Sequence, residues 1–309
     1  MTTILDIPGS QPPNPFSEPI QSALTALTSG SGPTLDDTAA HIVATVTDSP
    51  NPAHALWELW DAFFTAVATC QGPQPHAPHL ALLDALRAQP PTQPSRVRAG
   101  SDADRQLRGC TQSDGKLHWS ALPRFGAQWR DVHDILEAWR DWDGVRASAD
   151  ESLSHGAGEY YLRFCAFSAA LLGVTAGEGG VHPIWVFHAC RNVLERESPQ
   201  PCGHPKPHRI PPEQVLALDV RVAATWVRDG GRALWETGSE ELRRHWAAAL
   251  DRKTELWPKE DGLTRERWQL WAKRLHILRT AEPSLDQETK AVVTEASEVV
   301  ERILQENPT

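Results

Sequence analysis

Methionine occurs once, at position 1, tyrosine twice, and cysteine only five times in 309 residues. The cysteines, Cys70, Cys110, Cys165, Cys190 and Cys202, are odd in number, widely spaced and free of any CxxC pair, which argues against a disulfide framework or a thiolate zinc site. Basic charge is also short: 30 Lys and Arg stand against 40 Asp and Glu, a formal net charge of −10. A nucleic-acid partner is therefore not expected, since such a binder needs a cationic surface to displace phosphate counterions. No apolar run approaches the roughly 20 residues of a membrane span. The first 33 residues, with Pro8, Pro12, Pro13 and Pro15, contain no signal-peptide core. These absences predict a soluble, cytoplasmic protein with no membrane span.

Chemical signatures are missing as well. There is no HExxH, Walker loop, GxGxxG or GxSxG elbow, so nucleotide, flavin and serine-hydrolase readings lose their support, and neither cofactor nor metal is expected. Cys202, His204 and His208 lie close together, but the intervening prolines deny them a shared helix face. Asp36-Asp37 starts like the aspartate-rich magnesium motif of isoprenoid cyclases, yet Ala40 and His41 follow where another Asp is required.

What the chain does have is tryptophan: 13 residues, against 7 Phe. It also has helical periodicity from about Leu35 to Leu304, with almost no period-two alternation. The pattern predicts an all-α, single-domain irregular bundle of about nine to ten helices without a sheet. Residues 1–33 are expected as a disordered Pro-rich tail. Residues 34–309 form the helical domain, interrupted by a long irregular connection at about 90–126 and a Pro-rich loop at about 198–212. Asn51 followed by Pro52 caps a helix through Cys70, with Leu56, Trp60, Phe63 and Val67 on its apolar stripe and Glu58, Asp61 and Thr65 toward water. Further helices are predicted near 76–89, 127–142, 158–172 (the candidate central helix), 183–195, 213–228, 239–250, 264–279 and 284–304. Asp229-Gly230-Gly231 should end the helix begun at Glu213, before a short one carrying Trp235. Ser284 and Gln287 stand at capping-box spacing for the last helix.

On the helix from Glu213, Val215, Asp219, Val222 and Trp226 fall within about 60° of one another, so Asp219 is a carboxylate set in an apolar stripe. Such a group needs a cationic or hydrogen-bonding partner or takes up a proton, which suits a general acid, a base or a ligand anchor; the structural alternative is an ion pair or a cap. His188, Arg191, Asn192 and Glu195 share a face that could move protons and that, in the plainer reading, is simply solvated. Glu159 and Arg163 at i, i+4 could anchor a polar ligand group or only pair with each other. The pairs Trp57/Trp60, Trp139/Trp142 and Trp268/Trp271 place two indoles on one helix side, to fill a core or to line a stiff pocket.

Several stretches in order carry a resemblance: Ala55-Leu-Trp-Glu-Leu-Trp-Asp61, Glu159-Tyr-Tyr-Leu-Arg-Phe-Cys-Ala-Phe167, Ile184-Trp-Val-Phe-His-Ala-Cys-Arg-Asn-Val-Leu194 and Ala217-Leu-Asp-Val-Arg-Val-Ala-Ala-Thr-Trp226. They are followed by Gly230-Gly-Arg-Ala-Leu-Trp235 and Arg267-Trp-Gln-Leu-Trp271. The series resembles a fungal family catalogued as domain of unknown function 3632, over roughly Leu35 to Leu304. The resemblance implies an all-helical domain from a filamentous fungus and supplies no catalytic residues.

The leading expectation is a protein of fungal specialised metabolism that encloses an apolar small molecule in a Trp-lined pocket and promotes a cofactor-independent cyclisation, isomerisation or dehydration. Asp219 and His188 are its candidate catalytic residues, and Trp226, Trp185, Arg163, Tyr160 and Trp235 its candidate substrate contacts. A non-catalytic helical interaction module is the alternative, and a metal-dependent terpene cyclase with an atypical motif stands third. A deep Trp-walled cavity favours the first; a filled core with an exposed apolar groove favours the second.

Overall fold

The computed structural model describes residues 14–30, 32–70, 76–142, 151–175, 177, 179–197 and 210–306. Cys202, His204 and His208, not expected from sequence to form a zinc site, lie outside them, as does the Pro-rich loop up to residue 209. Among the described residues there are twelve α-helices and no strand, so the all-α expectation holds and the helix number slightly exceeds it. An isolated antiparallel bridge joins Thr92 to Leu117. Among the described residues, no helix is long and apolar enough to cross a membrane. Contacts gather into two compact units, residues 1–138 and 139–309.

In the first unit, α1 (Ser17–Ser29), α2 (Leu35–Asp48), α3 (Pro52–Thr69), α4 (Ala77–Arg87), α5 (Asp102–Arg108) and α6 (Phe125–Glu137) surround a core built on α3. Asn51 accepts a hydrogen bond from the His54 amide with Pro52 at the first turn, the cap predicted from the sequence. Trp60, Phe63, Phe64 and Phe125 meet at centroid separations of 5.1 to 6.4 Å. The Trp60 indole donates to the Pro123 carbonyl at 2.7 Å, so this large ring is buried with its polar group satisfied.

Three expectations change here. The supposed tail contains α1, because Phe16, Ile20, Ala23 and Leu24 recur at helical spacing and bury against the unit. Asp61 is only 3% exposed rather than facing water, since α1, α2, α5 and α6 all pack on α3 and leave it little free surface. The long connection holds α5, whose start is capped by Ser101 and whose acidic first turn and basic last turn match the helix dipole. Asp36 and Asp37 likewise lie in the first turn of α2, where Thr34 caps the helix.

The second unit holds a 3-10 turn (Trp139–Asp141) and α7 (Glu151–Thr175), α8 (Ile184–Val193), α9 (Pro212–Thr237), α10 (Ser239–Leu250), α11 (Arg265–Ala281) and α12 (Gln287–Glu306). The hub is α9, which packs on α7, α8 and α12, and α11 in turn packs on α12. The sequence reading placed the central role on α7. It also ended α9 at its glycines, whereas the helix runs through Gly230 and Gly231. Gly230 serves close packing, since a Cβ there would lie 2.9 Å from the Leu172 and Val186 side chains, and so does Gly173, where one would lie 2.6 Å from the Asp229 carbonyl oxygen; at Gly231 a Cβ would meet only ordinary contacts of 3.7 and 3.8 Å. The start of α12 is capped by Asp286, which accepts from the Thr289 amide at 2.7 Å, while the Ser284 hydroxyl turns back to Glu282.

Candidate functional site

A cleft of about 390 Å³ opens in the second unit. One wall is the end of α8 and the residues after it (Asn192, Val193, Arg196, Glu197), another is α9 (Leu216, Asp219, Val220), and the third is the later part of α11 (Arg274, Ile277, Leu278) with Glu282 beyond it. Asp219 projects there because it shares the α9 stripe that also buries Val222 and Trp226. Its Oδ1 accepts from Arg140 Nη2 at 2.7 Å, and the two side chains are 21% and 12% exposed. The Arg140 guanidinium lies over the Trp139 ring, 5.4 Å from its centroid, which fixes the direction from which the cation reaches Asp219.

Next to the cleft, at the end of α8, Glu195 is fully buried. Its carboxylate takes a two-pronged contact from Arg267, through Nε at 2.7 Å and Nη2 at 2.9 Å, and accepts from the Trp271 indole and the Thr254 hydroxyl at 2.9 Å each. Arg267 spends its remaining donor, Nη1, on the carbonyls of Leu250 and Gly262 at 2.7 and 2.8 Å. Its guanidinium also covers the Phe187 ring at 4.7 Å. The solvated-face reading is thus corrected for Glu195. Because α8 ends at Val193, a helical projection does not apply to residue 195, and the chain turns its carboxylate inward. Asn192 of the same face is exposed, and His188 and Arg191 are half-buried. Burial, then the neighbouring Arg252, lowers the pKa of Arg191, while Glu195 acts the other way.

Two arginines line the cleft itself. Arg274 Nη2 donates to the Arg196 carbonyl at 2.7 Å. Neither Arg196 nor Arg274 forms an ion pair among the described residues, and each keeps a buried Nε with no acceptor. A buried donor left without a partner calls for a ligand, a water or a rearrangement.

Of the residues singled out from sequence, Asp219 lies in the cleft wall and the other six do not line it. His188 belongs to an aromatic group, edge-on to Trp185 at 5.5 Å and to Trp246 at 6.3 Å. Arg163 stands 3.8 Å from Glu159, which also meets Arg221 at 3.5 Å. Tyr160 is half-buried on the same helix. Trp226 is 2% exposed, and Trp235 packs edge-on against Trp268 at 5.5 Å. Trp60, Trp119, Trp129, Trp139, Trp226, Trp268 and Trp271 are fully buried, and no tryptophan lines the cleft.

Sequence reasoning passed over Arg196 and Arg274. A signal existed for the second: Arg267, Trp271, Arg274 and Leu278 follow at spacings of four, three and four, which sets two arginines in the apolar stripe of α11, as Asp219 is set in α9. In the first unit, His133, Asp134 and Glu137 bring three potential ligand atoms within 4.8 Å. An ion with bonds of about 2.0–2.1 Å would have to draw that spread in.

Against known proteins, a family model described as "Protein of unknown function (DUF3632)" matches residues 60–275. No curated protein and no solved structure matches the chain.

Proposed function

From the premise that the chain belongs to the DUF3632 family, whose description names no activity, we propose a function built on the cleft: the second unit binds a small, largely apolar molecule. The observation that carries this reading is the cleft wall itself, in which Leu216, Val220, Ile277 and Leu278 supply apolar surface and Asp219 a carboxylate fixed by Arg140. Its volume of about 390 Å³ falls within the roughly 300–1,000 Å³ usual for small-molecule sites, and its wall is mixed, with Asn192, Arg196, Glu197, Asp219, Arg274 and Glu282 beside the apolar residues. On this reading the protein serves fungal specialised metabolism in the cytoplasm. Asp219, held at a constant position and orientation, polarises or moves a proton on the bound molecule in a cofactor-independent cyclisation, isomerisation or dehydration. His188, outside the lining, has no direct part.

Nile red, an uncharged apolar dye, tests the binding step. Its fluorescence should rise with the full-length protein and fall back when Ile277→Trp fills the cleft, with the circular dichroism spectrum unchanged. Asp219→Asn should retain dye uptake and lower product formation at least tenfold in metabolite profiles of a complemented deletion strain. Dye uptake indifferent to Ile277→Trp would remove the cleft reading.

A second reading, the non-catalytic interaction module, is favoured by the tryptophans that fill cores and by a shallow apolar groove of about 200 Å³ in the first unit, bordered by Ala23, Ala26, Leu27, Pro33 and Leu35. Leu27 is 41% exposed there. This reading predicts that Leu27→Asp, and not Ile277→Trp, abolishes complementation of the deletion strain.

A further inference from the structure

Resting on the cleft reading, we infer that the molecule bound there carries a single carboxylate, received by Arg196 and Arg274. Both side chains line the cleft, and both are half-buried. Each has a buried Nε lacking an acceptor, and no carboxylate among the described residues pairs with either one. The acids nearby are already engaged or turned to water. Glu195 is taken by Arg267, and Asp219 by Arg140. Glu282 accepts from the Ser284 hydroxyl and amide, and Glu197 is exposed. The Arg274 side chain is anchored beside residue 196, because its Nη2 donates to the Arg196 backbone carbonyl at 2.7 Å, and both side chains border the same cleft. Burial above all, and then Arg252, with Arg267 and Arg196 adding less and Glu195 opposing, lowers the pKa of the neighbouring Arg191.

The charge of the ligand follows from what surrounds these arginines. The carboxyl-terminal end of α8, whose last carbonyls carry the negative end of the helix dipole, stands in the cleft wall, together with Glu197 and Glu282. That setting holds two arginines without acid partners and offsets part of their charge. A phosphate dianion would lie against the same carbonyls and carboxylates, whereas a monoanion matches the remaining positive charge. Guanidinium groups bind carboxylates through short, charge-assisted hydrogen bonds, commonly two at a time. The apolar part of the wall, Val193, Leu216, Val220, Ile277 and Leu278, then covers an apolar body, with Asn192 and the Arg140-paired Asp219 as the other polar groups, so the ligand class is a monocarboxylic acid with a hydrocarbon or aromatic tail.

Calorimetric titration of the full-length protein with decanoate, 1-decanol and decyl phosphate, below their aggregation limits, separates the ideas. Decanoate should bind at least tenfold more tightly than decanol. Arg196→Gln should reduce decanoate to the level of decanol while leaving decanol unchanged, and Arg274→Lys, which keeps the charge but not the fork, should give an intermediate loss with an unaltered melting temperature. Equal binding of decanoate and decanol overturns the carboxylate assignment and leaves the cleft reading standing. Tighter binding of decyl phosphate than of decanoate also overturns it. Failure of all three to bind, together with Nile red uptake unaffected by Ile277→Trp, overturns both.

Discussion

At position 195 a carboxylate without water contact is sustained by four donated hydrogen bonds, two of them from one guanidinium. Removing one member of such a pair strands the other charge in the interior, at a cost of about 3–5 kcal/mol. Glu195→Ala should therefore lower the urea midpoint far more than Glu197→Ala two residues on, and comparable midpoints would contradict the account. Burial also holds the His133 imidazole below its ordinary pKa, although Glu137 and Asp134 pull upward. As pH falls, the unfolded chain, with an ordinary imidazole near about 6.5, takes up the proton before the folded one does. Stability is thus intact above that pH and declines below it. His133→Phe should flatten this part of the stability profile, measured as urea midpoint between pH 5 and 8; an unaltered slope would count against it. Single residues were the least legible level of the sequence: Asp219 was visible as a charge in an apolar stripe, but its partner Arg140 lies 79 positions away, and nothing local joins the two.

Among the elements, helices were legible because a 3.6-residue period needs only nearby sequence, and Asn51-Pro52 marked the start of α3. Their ends and interruptions were less so. Gly230-Gly231 reads as a breaker because glycine leaves the chain free to bend, yet where two helices cross closely the missing side chain is what lets the helix continue. The crossing gives a graded prediction. Gly173→Ala meets a carbonyl oxygen at 2.6 Å, while Gly230→Ala meets the flexible ends of Leu172 and Val186 at 2.9 Å. Overpacking costs about 1–3 kcal/mol, and Gly173→Ala should fall at the upper end because backbone yields less than side chains. Equal melting temperatures for the two variants would show that α7 and α9 can part freely. The start of α12 offers another case: Ser284 and Asp286 are both capping residue types, and only the backbone path selects Asp286. Asp286→Ala should cost about 1 kcal/mol by urea unfolding, with Ser284→Ala near neutral.

For the molecule as a whole, composition proved informative about what the protein does not resemble and silent about its cleft. The excess of tryptophan becomes intelligible as core filling in both units, with the indoles of Trp60 and Trp271 each given an acceptor. The cleft could not be foreseen, because its walls come from three helices separated in sequence and converge only through tertiary packing. The net charge of −10 predicts that the protein passes through a heparin column at about 0.15 M salt in spite of the arginines near α8, since charge is screened beyond about 8 Å. Arg267 has one more consequence. The stretch 251–264 has no regular helix, but it is tied at both ends by this one guanidinium, and within it the Leu256 amide is held by the Glu195 carbonyl at 3.1 Å. In deuterated solvent the Leu256 amide should therefore exchange as slowly as those in the middle of α11, so that an irregular loop keeps the time of the core.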